Sequence, residues 1–217
     1  KFEYYPTQAG IYAVKVQQGT CLEIQTKEYK FYNCTSYTNY DYTTCTAQTI
    51  NPAFALSTQN VDISTIKIDT PPTKGTVLIN PDGTITYTAN RNAAGIDYFK
   101  YSFAGDGTIP DSEVAQATIN LKQIVHFDKV LNECILTGIA TYNLSLADVT
   151  PDKTVSKIYY ETLNGAENQI ATEVISNFTN LTTADRSVWV RMVNDYGCIA
   201  ISKIELKAKL AVEVRPE

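Results

Sequence analysis

Residues 66–121 constrain the fold of this chain most, because short segments of alternating apolar and polar residues are separated there by turn signals. These signals are Pro71-Pro72, Asn80-Pro81-Asp82-Gly83, Gly95, and Gly105-Asp106-Gly107 followed by Pro110. Alternation with a period of two, bounded by Gly, Pro, Asn and Asp, is typical of β-strands. The stretch is therefore predicted to be a run of strands.

The turn at residues 80–83 is the most specific of these signals. Pro81 presets φ for the first corner of the turn, and Gly83 accepts the positive φ that closes it. The flanking segments, residues 77–79 and 85–87, are therefore predicted to pair as a β-hairpin.

Two further segments predict a sheet with one buried and one exposed face. Phe99, Tyr101 and Phe103 fall on one side of a strand, and the intervening residues fall on the other. A second strand shows the same alternation, with its apolar positions at Ala115, Ala117, Ile119 and Leu121. These two sets are predicted to form a core.

The residues of this region also carry a resemblance to a known family. The strings GTV at 75–77, NPDGTITYT at 80–88 and GIDYFKY at 95–101 resemble the cadherin-like, bacterial Ig-like repeat of large secreted adhesins. Pieces on either side, at 4–12, 140–144, 188–191 and 196–198, are similar to modules near the C-terminal end of very large Bacteroidota surface proteins. Those proteins are exported by the type IX secretion system and include gliding-motility adhesins. The resemblance implies an extracellular location at the bacterial cell surface.

The predicted fold class is all-β, with tandem Ig-like β-sandwich modules. We predict three segments: the C-terminal hairpin of a truncated Ig-like module at 1–33, a cadherin-like or bacterial Ig-like domain at 34–124, and an Ig-like domain at 125–217. The pattern around Cys21, with alternating apolar residues and then a turn, recurs around Cys198. Such repetition indicates an array, so we expect the chain to be a piece of a longer protein.

Charge and hydropathy exclude several kinds of partner. The net charge of −5 and the pI near 5.0 argue against nucleic acid or an anionic membrane, since phosphate binding needs a basic surface. No stretch approaches the ~20 apolar residues of a membrane span. The expected partners are neighbouring Ig-like modules of the same parent chain, with surface polysaccharide or another extracellular ligand as a further candidate.

The sequence offers little for catalysis. A Ser or Cys nucleophile needs a nearby base, and the single histidine, His126, lies in the segment joining the two predicted modules, where a packing or exposed role is favoured. The acidic residues are scattered, and no phosphate loop, HExxH or CxxC motif is present. We predict that the chain is not an enzyme and needs no cofactor.

Asp106, Asp111 and Glu113 are weak candidates for a calcium site, with Asp97 as a further oxygen donor nearby. Their spacing matches no calcium-binding loop. The favoured interpretation is solvated turn carboxylates, and we predict that EDTA leaves the melting temperature unchanged.

The five cysteines leave one without a partner inside the chain. We predict a disulfide between Cys134 and Cys198, because the first and last strands of a sandwich can lie side by side, and an upstream partner for Cys21. Cys34 and Cys45 either close a small loop with each other, or one of them pairs elsewhere or stays reduced. In the adhesin repeats that this chain resembles, the positions of Ala104 and Ser112 often carry a cysteine pair, which is lost here.

Trp189 and Arg191 are the candidate ligand-binding residues. An exposed Trp189 could stack on a sugar ring, whereas stacking of Arg191 on Trp189, or burial of the indole against a neighbouring element, is the favoured alternative. The resemblance to adhesin repeats implies a non-catalytic structural stalk or filament segment of a secreted bacterial cell-surface adhesin that supports surface attachment or gliding. The alternative is a carbohydrate-binding module of a secreted protein.

Overall fold

The computed structural model describes residues 10–18, 22–25, 29–31, 37–108, 110–135 and 139–210. It confirms the all-β fold of tandem Ig-like sandwiches. Near the N-terminus, β1 (Gly10–Tyr12) pairs with β4 (Tyr29–Phe31), and β2 (Lys15–Gln18) pairs with β3 (Leu22–Gln25), both antiparallel. The assignment of residues 1–33 to a truncated module stays a prediction.

The first sandwich consists of a four-stranded and a three-stranded sheet. In spatial order, the larger sheet contains β5 (Thr38–Thr44), β11 (Ser112–Leu121), β10 (Gly95–Gly105) and β7 (Val61–Thr70). The smaller sheet contains β6 (Ala47–Ile50), β9 (Ile85–Ala89) and β8 (Gly75–Ile79). Strand β5 runs parallel to β11, whereas the other pairs are antiparallel. The first strand of this sandwich therefore lies beside its last strand. In an Ig constant-type domain, the sheet that holds the last strand consists of three strands and does not include the first.

The predicted hairpin at residues 77–87 is confirmed as β8 and β9. Val77 lies opposite Tyr87, and the turn between them closes when the Asn80 N–H donates to the Thr84 carbonyl over 2.8 Å. Gly83 has a φ of 83°, the left-handed conformation that the sequence predicted for it.

The core of the first sandwich is largely aromatic. Phe99, Tyr101 and Phe103 are buried side by side, with ring centroids 5.8 and 6.1 Å apart. The facing positions predicted on β11 are buried too, at Ala115, Ala117, Ile119 and Leu121. Small side chains on one strand thus leave room for large rings on the next, which is how a dense core is filled.

Asp97 is a buried carboxylate in this sandwich, only 2% exposed. It accepts hydrogen bonds from the backbone N–H groups of Thr73 and Lys74, and from the hydroxyls of Thr73 and Tyr87, at 2.9 to 3.1 Å. Burial alone raises the pKa of Asp97, but these donors outweigh it and hold the pKa below the usual value. Asp97 therefore fastens the β7–β8 loop to the core as an anion.

The larger sheet of the second sandwich repeats the strand arrangement of the first. Its four-stranded sheet contains, in spatial order, β12 (Lys129–Ile135), β17 (Ile199–Leu210), β16 (Arg186–Val193) and β14 (Ser156–Tyr160). Strand β12 runs parallel to β17, as β5 does to β11. The facing sheet has two strands, β13 (Ala140–Tyr142) and β15 (Leu181–Thr183). The core between them is mainly aliphatic and includes Leu144, Val149, Val188, Val190, Met192, Ile204 and Leu206.

A short helix, α1 (Leu163–Asn168), lies between β14 and β15 in sequence. The helix-like spacing of Ile170, Val174 and Phe178 predicts a short helix over residues 166–178, and that placement is wrong for most of its length, because the helix ends at Asn168. Thr162 caps the helix by accepting from the Gly165 N–H, and the left-handed conformation of Gln169 ends it. No helix in the described ranges is long and apolar enough to cross a membrane.

Candidate functional site at the interdomain junction

A disulfide joins the two sandwiches. Cys45, at the corner between β5 and β6, is bonded to Cys198, which precedes β17, with 5.4 Å between the Cα atoms. Cys134 is a free, exposed thiol, so the predicted Cys134–Cys198 disulfide is wrong. The alternative pairing of Cys34 with Cys45 is wrong too, because Cys45 is already bonded; Cys34 and Cys21 themselves lie outside the described residues.

Strand direction explains the first error. The first and last strands of the second sandwich do lie side by side, but they are parallel, and Cys134 is in register with Lys209. Cys198 precedes the opposite end of the same strand, and ten residues of strand span roughly 33 Å. The two thiols are therefore much too far apart to be bonded.

The turn that carries Cys198, residues 194–198, docks on the end of the first sandwich. The Asn194 side-chain N–H donates to the carbonyl of Lys122 over 2.7 Å, just after β11. The Asn194 side-chain oxygen accepts from the N–H groups of Tyr196 and Cys198, and Gly197, at a φ of 76°, completes the turn. The Lys122 ammonium lies 4.4 Å from the centre of the Tyr196 ring, a cation–π contact.

A second contact forms around Asn92, in the loop between β9 and β10. Its side-chain amide donates to the His126 carbonyl and accepts from the His126 N–H, both over 2.9 Å. The His126 ring Nδ1 is 2.9 Å from the hydroxyl of Ser202, which is fully buried in the second sandwich. His126 is thus bound through its backbone by Asn92 of the first sandwich and through its imidazole by Ser202 of the second.

The residues on either side of His126 belong to the second sandwich. Ile124 is buried in its core, and the Phe127 N–H donates to the Val149 carbonyl over 2.8 Å. Burial lowers the pKa of His126, the nearby charge of Arg91 lowers it further, and Asp128 opposes them. The contacts of His126 fit the packing role that the sequence favoured.

The candidate calcium ligands lie near one another in sequence but each holds a separate partner. Asp106 accepts from the N–H and the side chain of Asn60, and Asp111 accepts from the Ser57 hydroxyl. Glu113 accepts from the Thr38 hydroxyl and the Ala55 N–H. These carboxylates anchor residues 51–60, and no group of three or more potential metal ligands occurs in the described part of the chain. The expected insensitivity to EDTA stays a prediction.

Trp189 and Arg191 lie on the outer face of β16, away from the core residues Val188 and Val190. Trp189 is half-buried and lies between Tyr160 and Lys203 in register. Arg191 is only 8% exposed and donates to the Ala166 carbonyl of α1 over 3.1 Å. Arg191 therefore holds the helix rather than lining an open surface, and ligand binding by Trp189 stays a prediction.

Sequence reasoning missed the partner of Cys198 and the role of Asn92. The available signal for the first is the Asn194-Asp195-Tyr196-Gly197 stretch before Cys198, whose composition indicates a turn but not that the turn docks on another sandwich. Asn92 was hidden because nothing local distinguishes it from the other polar residues of a loop.

Two models of known protein families match parts of the chain. Residues 35–122 match the bacterial Ig domain family, and residues 130–211 match the Flavobacterium inter-domain disulphide bond domain. The Cys45–Cys198 bond does connect these two regions. No curated protein matched the chain.

The solved structures that match the chain include cadherins. Domains 1–5 of protocadherin gamma B2 align with 94% of this chain and 46% of theirs, at 11% identity and a TM-score of 0.24. Domains 1–4 of Drosophila N-cadherin align with 79% of this chain and 49% of theirs, at 9% identity and a TM-score of 0.37. An endo-fucoidan hydrolase of glycoside hydrolase family 107 aligns with 95% of this chain and 35% of its own, at 13% identity and a TM-score of 0.30. The chain thus spans less than half the length of these proteins.

Proposed function

We propose that this pair of Ig-like modules, of a kind found in Bacteroidota, is a non-catalytic structural segment of a secreted bacterial cell-surface adhesin. The disulfide between Cys45 and Cys198 carries the proposal, because it ties one sandwich covalently to the next. In this role the segment spaces or displays a binding region located elsewhere in the parent protein. Its partners are the neighbouring Ig-like modules, and its export by the type IX secretion system and a part in surface attachment or gliding belong to the same proposal.

The chemistry of the junction fits an extracellular structural module. Disulfides persist in oxidising environments outside the cell, and Ig-like domains with such a bond indicate an extracellular or secreted protein. Domains in one chain move relative to one another by default unless their interface is large or otherwise secured. Here a covalent bond secures it.

The disulfide also lies beside the connection between the sandwiches. The polypeptide crosses between the sandwiches at residues 122–128, and the 194–198 turn meets the first sandwich beside that crossing. A single covalent crossing would allow the second sandwich to swing about it. A second bond at Cys45 turns the crossing into a two-point attachment, which suits a stalk that must keep its direction.

Small-angle X-ray scattering tests the proposal. The oxidised chain should fit one fixed arrangement of the two sandwiches. Replacing both bonded cysteines, with Cys45→Ala and Cys198→Ala together, should broaden the distribution of interdomain angles and of maximum dimensions. Cys134→Ala is the matched control, since it removes a free exposed thiol without touching the junction. A double variant as rigid as the unmodified chain, or an oxidised chain already as variable as the double variant, would contradict the proposal.

A further inference from the structure

The junction contains a second attachment in addition to the disulfide. On one side, Cys45–Cys198 and the Asn194–Lys122 hydrogen bond join the 194–198 turn to the first sandwich. On the other, the β9–β10 loop reaches the linker through Asn92. We propose that Asn92, His126 and Ser202 form a hydrogen-bonded latch that fixes the orientation of the two sandwiches and opens when His126 becomes protonated. This inference rests on the proposed function, because it concerns how the rigid junction is controlled.

Asn92 is shaped for this contact by its own backbone. Its φ of 62° is left-handed, a conformation that Asn tolerates better than most residues, and its N–H donates to the side-chain carbonyl of Gln123. The Gln123 amide in turn donates to the carbonyl of Cys45 over 3.4 Å. The loop, the linker and the disulfide-bearing corner therefore belong to one connected set of hydrogen bonds.

The side chain of Asn92 pairs with His126 as one peptide pairs with another in a sheet. It satisfies both the N–H and the carbonyl of that residue at once. Because the backbone at 124–127 is part of the second sandwich, this pairing is a contact between the sandwiches. A truncated side chain at position 92 would leave two backbone groups of the linker without these partners.

The imidazole completes the latch from the other side. Nδ1 of His126 is hydrogen-bonded to a serine hydroxyl that water cannot reach, so the ring must stay oriented toward β17. The charged groups that act on the ring are Arg91, from the β9–β10 loop, and Asp128, from the segment before β12. The Asp128 carboxylate also accepts a hydrogen bond from the Lys203 N–H over 2.8 Å.

Protonation of His126 opposes the closed latch for two reasons. The new positive charge would lie in a half-buried site and would be repelled by the guanidinium of Arg91 in the β9–β10 loop. A Ser202 hydroxyl that donates to Nδ1 would also have to turn and accept instead. Since the pKa of His126 is lowered in the folded chain, the closed latch is fully stable above the unfolded value of about 6.5 and loses stability as the pH falls below it.

Nuclear magnetic resonance of the full oxidised chain tests this directly, because the sequence has one histidine and its ring signals report a single titration. Nitrogen-15 relaxation measures whether the two sandwiches tumble together. At pH 7.5 the relaxation data of both sandwiches should fit one diffusion tensor, and at pH 5 each sandwich should need a diffusion tensor of its own. The ring should titrate below pH 6.5 in the unmodified chain, and Asn92→Gly, which keeps the left-handed backbone, should move its midpoint upward.

Two variants separate charge from structure. His126→Gln can keep a hydrogen bond to Ser202 but cannot be protonated, so its sandwiches should tumble together at both pH values. Asn92→Gly should leave them loosely coupled at both. Asn132→Ala, at an exposed position on β12, is the control and should behave as the unmodified chain does.

The possible failures are distinct. Sandwiches that tumble independently at pH 7.5 with the disulfide intact would contradict the rigid junction itself, and with it the proposed function. A junction that stays rigid at pH 5, with His126 titrating at its ordinary value, would overturn the latch alone. A His126→Gln chain that loosens at pH 5 as much as the unmodified chain would also overturn it, since some other group would then be the one that responds.

Discussion

The two sandwiches share the placement of their first and last strands but differ in how the chain passes from one sheet to the other. In the first, the β7–β8 loop leads into a third strand of the smaller sheet, and Asp97 fastens that loop. In the second, the smaller sheet has two strands, and α1 packs on the outer face of β16 through Arg191. Each sheet-to-sheet connection thus contacts one buried charged side chain, which is negative in the first sandwich (Asp97) and positive in the second (Arg191).

The two charges are satisfied to very different degrees. Asp97 accepts four hydrogen bonds, so its ionised form is well supported. Arg191 donates to one carbonyl, and its Nε has no partner among the residues that the structure describes. A buried polar group stabilises a fold only when its partners offset the loss of water. We therefore expect the stability of the first sandwich to depend strongly on the charge of Asp97, and that of the second to depend little on the charge of Arg191.

Asp97→Ala tests the stronger side of this comparison. Removal of the carboxylate would leave the Tyr87 hydroxyl buried without its acceptor and would also remove the acceptor of the Thr73 and Lys74 N–H groups. The free energy of unfolding of the first sandwich should fall by about 3–5 kcal/mol, as measured by urea denaturation followed by circular dichroism. The control is Asp69→Ala, which removes an exposed partner of Lys67 and should cost less than about 1 kcal/mol. Equal effects of the two variants would show that the buried carboxylate has no special role.

A matched pair of glycines sharpens the comparison between the sandwiches. Gly83 in the first and Gly197 in the second both close turns with positive φ, at 83° and 76°. A Cβ at Gly83 would lie 2.4 Å from Cγ2 of Ile63, whereas one at Gly197 would have no heavy atom within 4 Å. Gly197→Ala should cost about 1 kcal/mol from backbone strain alone, and Gly83→Ala about 2–3 kcal/mol because overpacking is added. Thermal unfolding measures both, and a larger loss for Gly197→Ala would contradict the assignment of the difference to Ile63.

Much of the fold could be predicted from sequence because the deciding signals are local. The Pro81–Gly83 turn and the alternation along β10 and β11 each specify their structure within a dozen residues, and both were confirmed. The end of α1 could not be predicted because it depends on Gln169 adopting a left-handed conformation. Glutamine, unlike glycine, gives no sequence signal for that conformation.

The junction could not be predicted in the same way because it depends on long-range topology. The correct partner of Cys198 is 153 residues away, and the choice between it and Cys134 depends on the direction in which β12 runs beside β17. Strand alternation is the same for parallel and antiparallel pairing, so the pattern that revealed the strands could not reveal this direction. The contact of Asn92 with His126 depends in turn on how the two sandwiches meet.

Arg191→Met tests the weaker side of the comparison and should have the smallest effect. Methionine has a similar volume and no polar group, so it removes an unpartnered Nε along with one hydrogen bond to Ala166. Replacement of an incompletely satisfied buried charge by an apolar residue is often neutral or stabilising, and we expect a change within about 1 kcal/mol. The single tryptophan, Trp189, lies two residues away on the same strand face, so its fluorescence during urea denaturation reports on this sandwich specifically. Arg191→Ala is the companion variant: it should cost about 2 kcal/mol or more, because it also leaves a cavity beneath α1. If Arg191→Met lowers the free energy of unfolding as much as Asp97→Ala does, the guanidinium stabilises its helix as strongly as the carboxylate stabilises its loop. The contrast between the two sandwiches would then be wrong.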